Sequence, residues 1–318
     1  TNADDIDSCR EHLRTGKFAQ CIAMSGKAIV DKRYGEDWPV LKAQAELLIG
    51  QYDAAKTTID AGLERYSWSI RLRFVGHQAY QLCSDSKNAA RLLAEITDMA
   101  ERFPWRYTDS DNLVTLGKAA TLLGVDARSV LESFYDRAKR YNSKSRSPYL
   151  ASGFLALEKN DNALAADIFQ NASKQFRDDP DILFGIARAT ADSDSARSMV
   201  ALAKTLELNP QHVPALLYQV DQLVDSENYA DADNAIERVL AINPREPKAW
   251  AYRSVLAHLS NDSKGEALFR AHALGSWRDN PAVDHLIGQK LSQKYRFKEG
   301  AAYQNRALAF DSKYLPAR

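Results

Sequence analysis

A 34-residue step runs through this 318-residue chain, and it constrains the fold more than any other feature of the sequence. Gly16-Lys17-Phe18 returns 34 residues later as Gly50-Gln51-Tyr52, and Asn209-Pro210 returns after the same interval as Asn243-Pro244. Glu227, Asn261 and Tyr295 hold the step through the last third. Inside the units, apolar and small residues are spaced for one helical face: Leu72-x-x-Val75-Gly76-x-x-Ala79, Leu113-x-x-Leu116-Gly117-x-x-Ala120, Tyr149-x-x-Ser152-Gly153-x-x-Ala156 and Asp284-x-x-Ile287-Gly288-x-x-Leu291. After a short turn a second helix follows, marked by Ala165, Phe169 and Ala172 in one unit and by Ala232, Ile236 and Val239 in another.

This pattern resembles the tetratricopeptide repeat (TPR) family, whose helix–turn–helix unit carries W-x2-L-G-x2-Y, then A-x3-F, then a closing proline. The resemblance covers essentially the whole chain. It implies an all-α, right-handed superhelical solenoid of about nine TPR-like repeats forming one domain over 1–318. The repeats fall at about 2–34, 35–68, 69–104, 105–144, 145–180, 181–210, 211–244, 245–278 and 279–312, and 313–318 reads as the start of a further helix, as in an excised fragment. Glycine or alanine in mid-helix lets paired helices approach closely, and proline, lacking the N–H, ends them.

Several units depart from the consensus. Added residues near Cys83–Lys87 and at Gly124–Arg128 lengthen the third and fourth, and the turn of the sixth is compressed into Asp192-Ser193-Asp194. Glu266 and Arg270 replace a small and a bulky apolar residue, so the second helix of the eighth unit is expected to lie less deep. The stretch from Val283 through Phe297 also resembles large bacterial TPR proteins that continue into a gluzincin-type peptidase-MA domain.

Charge narrows the function. With 42 Lys+Arg against 42 Asp+Glu there is no surplus of cations for nucleic acid or an anionic membrane. No run approaches the ~18 apolar residues of a membrane-spanning helix, so membrane insertion is not expected. Three cysteines without CxxC spacing exclude a disulfide scaffold, a zinc finger and a thioredoxin-like site. HExxH, the Walker loop, G-x-G-x-x-G and G-x-S-x-G are all missing, and Gly26-Lys27 is followed by Ala28 where a phosphate loop needs Ser or Thr. No catalytic residue, metal or cofactor is assigned. The sequons Asn171-Ala172-Ser173 and Asn261-Asp262-Ser263 decide nothing, since such triplets are frequent by chance.

The family resemblance implies a non-catalytic scaffold whose first helices line a concave groove for a protein or peptide segment. The alternative is the substrate-positioning arm of a larger bacterial peptidase-MA-type hydrolase with its catalytic domain outside this chain. Groove candidates in the first three units are Arg10, Arg14, Gln44, Arg73, His77 and Tyr80, a mixed basic and hydrogen-bonding set. In the last three they are Asp221, Asp225, Lys248, His258, His285 and Gln289, more acidic at the start. Ile6, Arg10, Val40, Gln44, Arg73 and His77 stand where chaperone-binding relatives carry a Lys/Asn/Asn/Lys/Arg carboxylate clamp, so that subclass is not matched.

Phe103-Pro104-Trp105-Arg106-Tyr107 is expected to pack a repeat junction, and the run Arg137, Lys139, Arg140, Lys144, Arg146 to be a solvated face. Cys9 and Cys21 occupy the small positions where the first helix pair crosses, within reach of a disulfide but also suited to two buried thiols. Location is open between bacterial cytoplasm and, after loss of a signal peptide, the envelope or periplasm.

Overall fold

The computed structural model describes residues 2–318, with side chains from Asp5 onward. The all-α expectation holds: the described residues form helices and turns without strands, and the helices pack in adjacent pairs. The chain divides into two compact units, one of Thr1–Leu47, Asp53–Tyr80 and Ser86–His212, the other of Leu48–Tyr52, Gln81–Asp85 and Val213–Arg318.

The first unit contains α1 (Asn2–Arg14) and α2 (Phe18–Val30), and most of α3 (Asp37–Leu48), α4 (Tyr52–Arg65), α5 (Ile70–Gln81) and α6 (Ser86–Arg102). In α7 (Ser110–Leu122) and its partner the pattern changes, because α8 (Ala127–Val130) and α9 (Asp136–Tyr141) are joined by a π-helical turn, Leu131–Tyr135. Next come α10 (Ser147–Glu158) with α11 (Asn162–Gln175), and α12 (Pro180–Ala189) with α13 (Ser195–Leu208). The second unit holds α14 (Val213–Asp225) with α15 (Tyr229–Ile242), α16 (Pro247–Leu259) with α17 (Ser263–Ala273), and α18 (Pro281–Gln293) with α19 (Phe297–Phe310).

Local chemistry explains where helices start and stop. Asp109, Asp126, Asp161, Asp179, Asp194 and Asp262 cap N-termini by accepting from backbone N–H groups that have no intrahelical partner. Pro180, Pro247 and Pro281 sit in first turns, where a missing N–H costs nothing. Nearly every first helix ends on a left-handed residue: Gly16, Gly50, Ser84, Gly124, Asn160, Glu227, Asn261 and Tyr295 all have positive φ. The 34-residue step of Glu227, Asn261 and Tyr295 is therefore a step of helix C-caps.

Close approach explains the mid-helix glycines. A Cβ on Gly153 or on Gly185 would overlap the ring of Phe169, and one on Gly117 would overlap Tyr135. Phe169 and Tyr135 are buried by this approach, and Val40, Ala43, Ala55, Ile59, Leu72 and Val75 form a core shared by α3, α4 and α5.

Four local expectations are corrected. The third unit takes its extra length in the 17-residue α6 and a following 3₁₀ turn, Pro104–Arg106, rather than at Cys83–Lys87. In the sixth, the connection spans residues 190–194 and it is α12, at 10 residues, that is short. Phe103 and Trp105 do not pack the junction: Trp105 is 72% exposed, and Tyr107 fills the core instead, its hydroxyl donating to the Trp68 carbonyl at 2.9 Å. Residues Leu315–Ala317 form a single 3₁₀ turn where the sequence suggested a helix start.

α17 does lie shallow, with only Gly265 and Ala273 buried, and its polar residues bridge to neighbours. Arg270 makes two 2.6 Å bonds to the fully buried Asp284 of α18, while Glu266 accepts from the Tyr303 hydroxyl and pairs with His258.

Two turns are met by distant loops. Asn209 donates to the Arg14 carbonyl at 3.0 Å and lies against Gly16, and Asn243 donates to the Tyr52 hydroxyl at 3.1 Å and lies against Gly50. A third such turn bonds through Ser84, whose hydroxyl donates to the Ser276 carbonyl at 2.8 Å.

Candidate functional site

Charged side chains of the first helices of the first unit, and of the turns leading into them, pair across neighbouring repeats. Arg10 reaches Asp37 at 2.8 Å, and Arg71 binds the same carboxylate at 3.0 Å and Glu36 at 3.5 Å. Further along, Arg146 pairs with Asp179 at 2.5 Å and with Asp181, which also meets His212 at 2.9 Å. Arg14, from α1, comes to 3.6 Å from Asp179 and donates to the Asp178 carbonyl. The result is a ladder of alternating charges.

Burial pushes the carboxyls of Asp37, Asp179 and Asp181 toward the neutral form, and the neighbouring charges and hydrogen bonds decide the outcome. At Asp37, Arg71 and Arg10 outweigh burial and hold the pKa below the ordinary carboxylate range. Asp181 is likewise lowered against burial, by its hydrogen bond to His212 and by the charge of Arg146. Asp179 goes the other way, raised by burial and by the adjacent Asp181 despite Arg146.

Lys118 of α7 is the exception on this face. Its side chain is exposed, and among the described residues it has no ion-pair or hydrogen-bond partner. Desolvation by the surrounding protein nevertheless lowers its pKa, against the pull of Asp111, Asp181 and Glu158. It is a cation held in a charged setting without a carboxylate in contact.

The candidates named from sequence separate. Arg10 and Arg14 belong to the ladder, and Gln44 is half-buried on α3. Arg73, His77 and Tyr80 instead turn to neighbouring second helices: Arg73 to Glu95 at 2.8 Å, His77 Nδ1 to the Ala89 carbonyl at 2.9 Å, and the Tyr80 hydroxyl to Asp60 at 2.6 Å. Sequence reasoning missed Glu36, Asp37, Arg71, Lys118, Asp179, Asp181 and His212, and it placed Arg146 in a solvated run, whereas that side chain is held by Asp179 and Asp181. Asp37 and Arg71 are themselves one 34-residue step apart, a signal that aligning repeat positions would have shown.

In the second unit, Asp221 and Asp225 do not present free acid. Lys290, 3% exposed, lies between them at 2.5 and 2.8 Å, and the Tyr252 hydroxyl donates to Asp221 at 2.6 Å. His285 pairs with Gln304, His258 with Glu266, and Lys248 and Gln289 are exposed. A cleft of about 380 Å³ lies between α16 and α17, lined by Trp250, Leu268, His272 and Arg245 among others, with the Trp250 and His272 rings stacked at 4.6 Å. No group of three or more His, Cys, Asp or Glu among the described residues could hold a metal ion, and no described helix is long and apolar enough to cross a membrane.

Cys9 and Cys21 are fully buried thiols with their sulfurs 3.2 Å apart. The hydrogen bond between them lowers the pKa of Cys9 and raises that of Cys21.

No family model matches the chain, and no curated protein matches it. Among solved structures, yeast Tom70 is similar with a TM-score of 0.46 and 13% identity over 98% of this chain and 76% of that one. The APC/C hetero-tetramer Cut9-Hcn1 is similar with a TM-score of 0.46 and 13% identity, covering 96% of this chain and 52% of its own. Neither supports the peptidase-MA resemblance.

Proposed function

We propose that this chain is a non-catalytic scaffold that holds a protein or peptide segment against the charged first-helix face of its first unit. The observation that carries this reading is Lys118, an exposed cation without a contacting partner on a face where Arg10, Arg71 and Arg146 each have a carboxylate. A bound segment supplies the missing carboxylate, and the alternating ladder around it favours a segment of mixed charge. Complementary potentials of this kind fix register and orientation more than raw affinity.

The test is selection of peptides from a displayed random library on the intact chain, followed by anisotropy titrations. Acidic or mixed-charge peptides should be recovered, and Lys118→Glu should weaken them at least about tenfold, or ~1.4 kcal/mol. Arg137→Glu, at an exposed position on α9, should leave them unchanged. Peptides that ignore Lys118→Glu and are lost with Arg137→Glu place recognition elsewhere.

A further inference from the structure

We infer that the bound segment lies along α7 and presents a basic residue to Asp111, an acidic residue to Lys118 and an apolar residue to Leu122. This rests on the peptide-binding function proposed above, and it fixes the order and spacing of the groups that such a segment carries.

Lys118 and Leu122 stand seven and eleven residues after Asp111 on the same helix. With 3.6 residues to a turn, those intervals bring the side chains back to within about 20° of one direction, so the three form a stripe along α7. A rise of about 1.5 Å per residue puts Lys118 about 10 Å from Asp111 and Leu122 about 6 Å further on. Val114 and Thr115, between them on that side, are buried. Asp111 is half-buried, Lys118 exposed and Leu122 55% exposed, so the accessible chemistry reads anion, cation, hydrocarbon.

Neither charge is used up inside the chain. Among the described residues the Asp111 carboxylate has no ion pair or hydrogen bond; its backbone carbonyl alone is engaged, accepting from the Thr115 hydroxyl at 2.8 Å. Lys118 feels that carboxylate without touching it. The cations to either side are already matched, Arg71 by Asp37 and Arg146 by Asp179 and Asp181. Between them α7 offers one unpaired charge of each sign. Because the surrounding protein desolvates Lys118, an acidic group brought to it interacts more strongly than at an open surface.

Polarity follows from the same pair. A segment laid down with its acid at Asp111 and its base at Lys118 meets like charge twice, so repulsion excludes that orientation as firmly as attraction favours the other. Extended chain advances about 3.1–3.4 Å per residue, which places the basic and acidic residues about three apart and the apolar one about two beyond the acid.

The peptides recovered by the library selection are the probes, measured by anisotropy on the intact chain. Asp111→Asn and Lys118→Gln should each weaken them at least about fivefold, and Leu122→Ser about threefold, with the thermal melt unchanged. In double-mutant cycles, changing the peptide's basic residue to alanine should add no loss once Asp111→Asn is present, and changing its acidic residue none once Lys118→Gln is present. The crossed combinations should add, a pattern that a merely structural effect at either position does not give. Peptides that respond to Lys118→Gln but carry no basic residue, or whose basic residue fails to couple to Asp111, overturn this inference and leave the peptide-binding function standing. An empty selection, or peptides indifferent to Lys118→Gln, overturns both.

Discussion

The side chain of Asn209 occupies the space where a β-carbon on Gly16 would stand, with its Cγ 3.1 Å from that position. Asn243 stands in the same relation to Gly50, whereas nothing lies within 4 Å of the corresponding point on Gly124. All three glycines are left-handed, so the series separates backbone strain from contact. Gly124→Ala should cost only the left-handed penalty of about 1 kcal/mol, and Gly16→Ala and Gly50→Ala should each cost distinctly more. Equal losses for all three in urea unfolding would mean that the Asn loops contribute nothing at these turns.

Phe169 fills the space that Gly153 and Gly185 leave open on the two flanking first helices. Gly153→Leu should overpack this layer by on the order of 1–3 kcal/mol or more, and Gly117→Leu should do the same against Tyr135. Phe169→Ala removes the ring instead and should cost about 3–5 kcal/mol. Thermal and denaturant unfolding measure all three, and unchanged stability for both glycine variants would contradict the packing described.

The ladder carboxylates give stability a defined dependence on pH. Asp37 and Asp181 are held below the ordinary range, so their contribution is complete above the unfolded value of about 3.9 and is lost as pH falls toward the folded one. Asp181→Asn should therefore destabilise the protein at neutral pH, with the gap to wild type closing as pH drops below about 4. Asp179, raised by burial, works in the opposite sense and blunts the acid loss without cancelling it where both neighbours remain ionised. A gap that stays constant from pH 7 to pH 3 would exclude Asp181 as a source of this dependence.

Cys9 and Cys21 should both titrate as thiols in protein prepared under reduction, giving three free thiols on denaturation together with Cys83. When the first helix pair opens in a glutathione-disulfide buffer, the exposed Cys9 thiolate attacks the disulfide, glutathione thiolate leaves, and on reclosing Cys21 displaces the second glutathione. The 3.2 Å approach of the sulfurs favours the second step, so one free thiol, Cys83, should remain. Three thiols, or a stable mixed disulfide at Cys9, would show that the packed pair does not close.

The helix pairs were legible because their signals are local: a small residue in each helix and a left-handed cap every 34 residues. The sequence also displayed both halves of the turn contacts, Gly16 with Gly50 and Asn209 with Asn243, each as its own repeat. That these are partners was not visible, since nearly two hundred residues separate them and neither half signals the other. Arg73 and His77 were placed on the binding face from repeat position, and bonds to Glu95 and the Ala89 carbonyl hold them elsewhere. Asp221 and Asp225 looked acidic for a similar reason. Their neutralising lysine lies two repeats downstream, beyond what pattern within one repeat can show.

The π-helical turn at Leu131–Tyr135 gives the fourth repeat a tolerance for altered length. Val130 and Tyr135 share the buried face although they are five residues apart, and Ala138 continues it. The wider turn absorbs one residue that would otherwise rotate all that follows by about 100° and carry its apolar side chains into water. Insertion and deletion are thus not equivalent here: removing one residue from this turn leaves an ordinary α-helix with both faces in phase, while a second addition has no turn left to take it up.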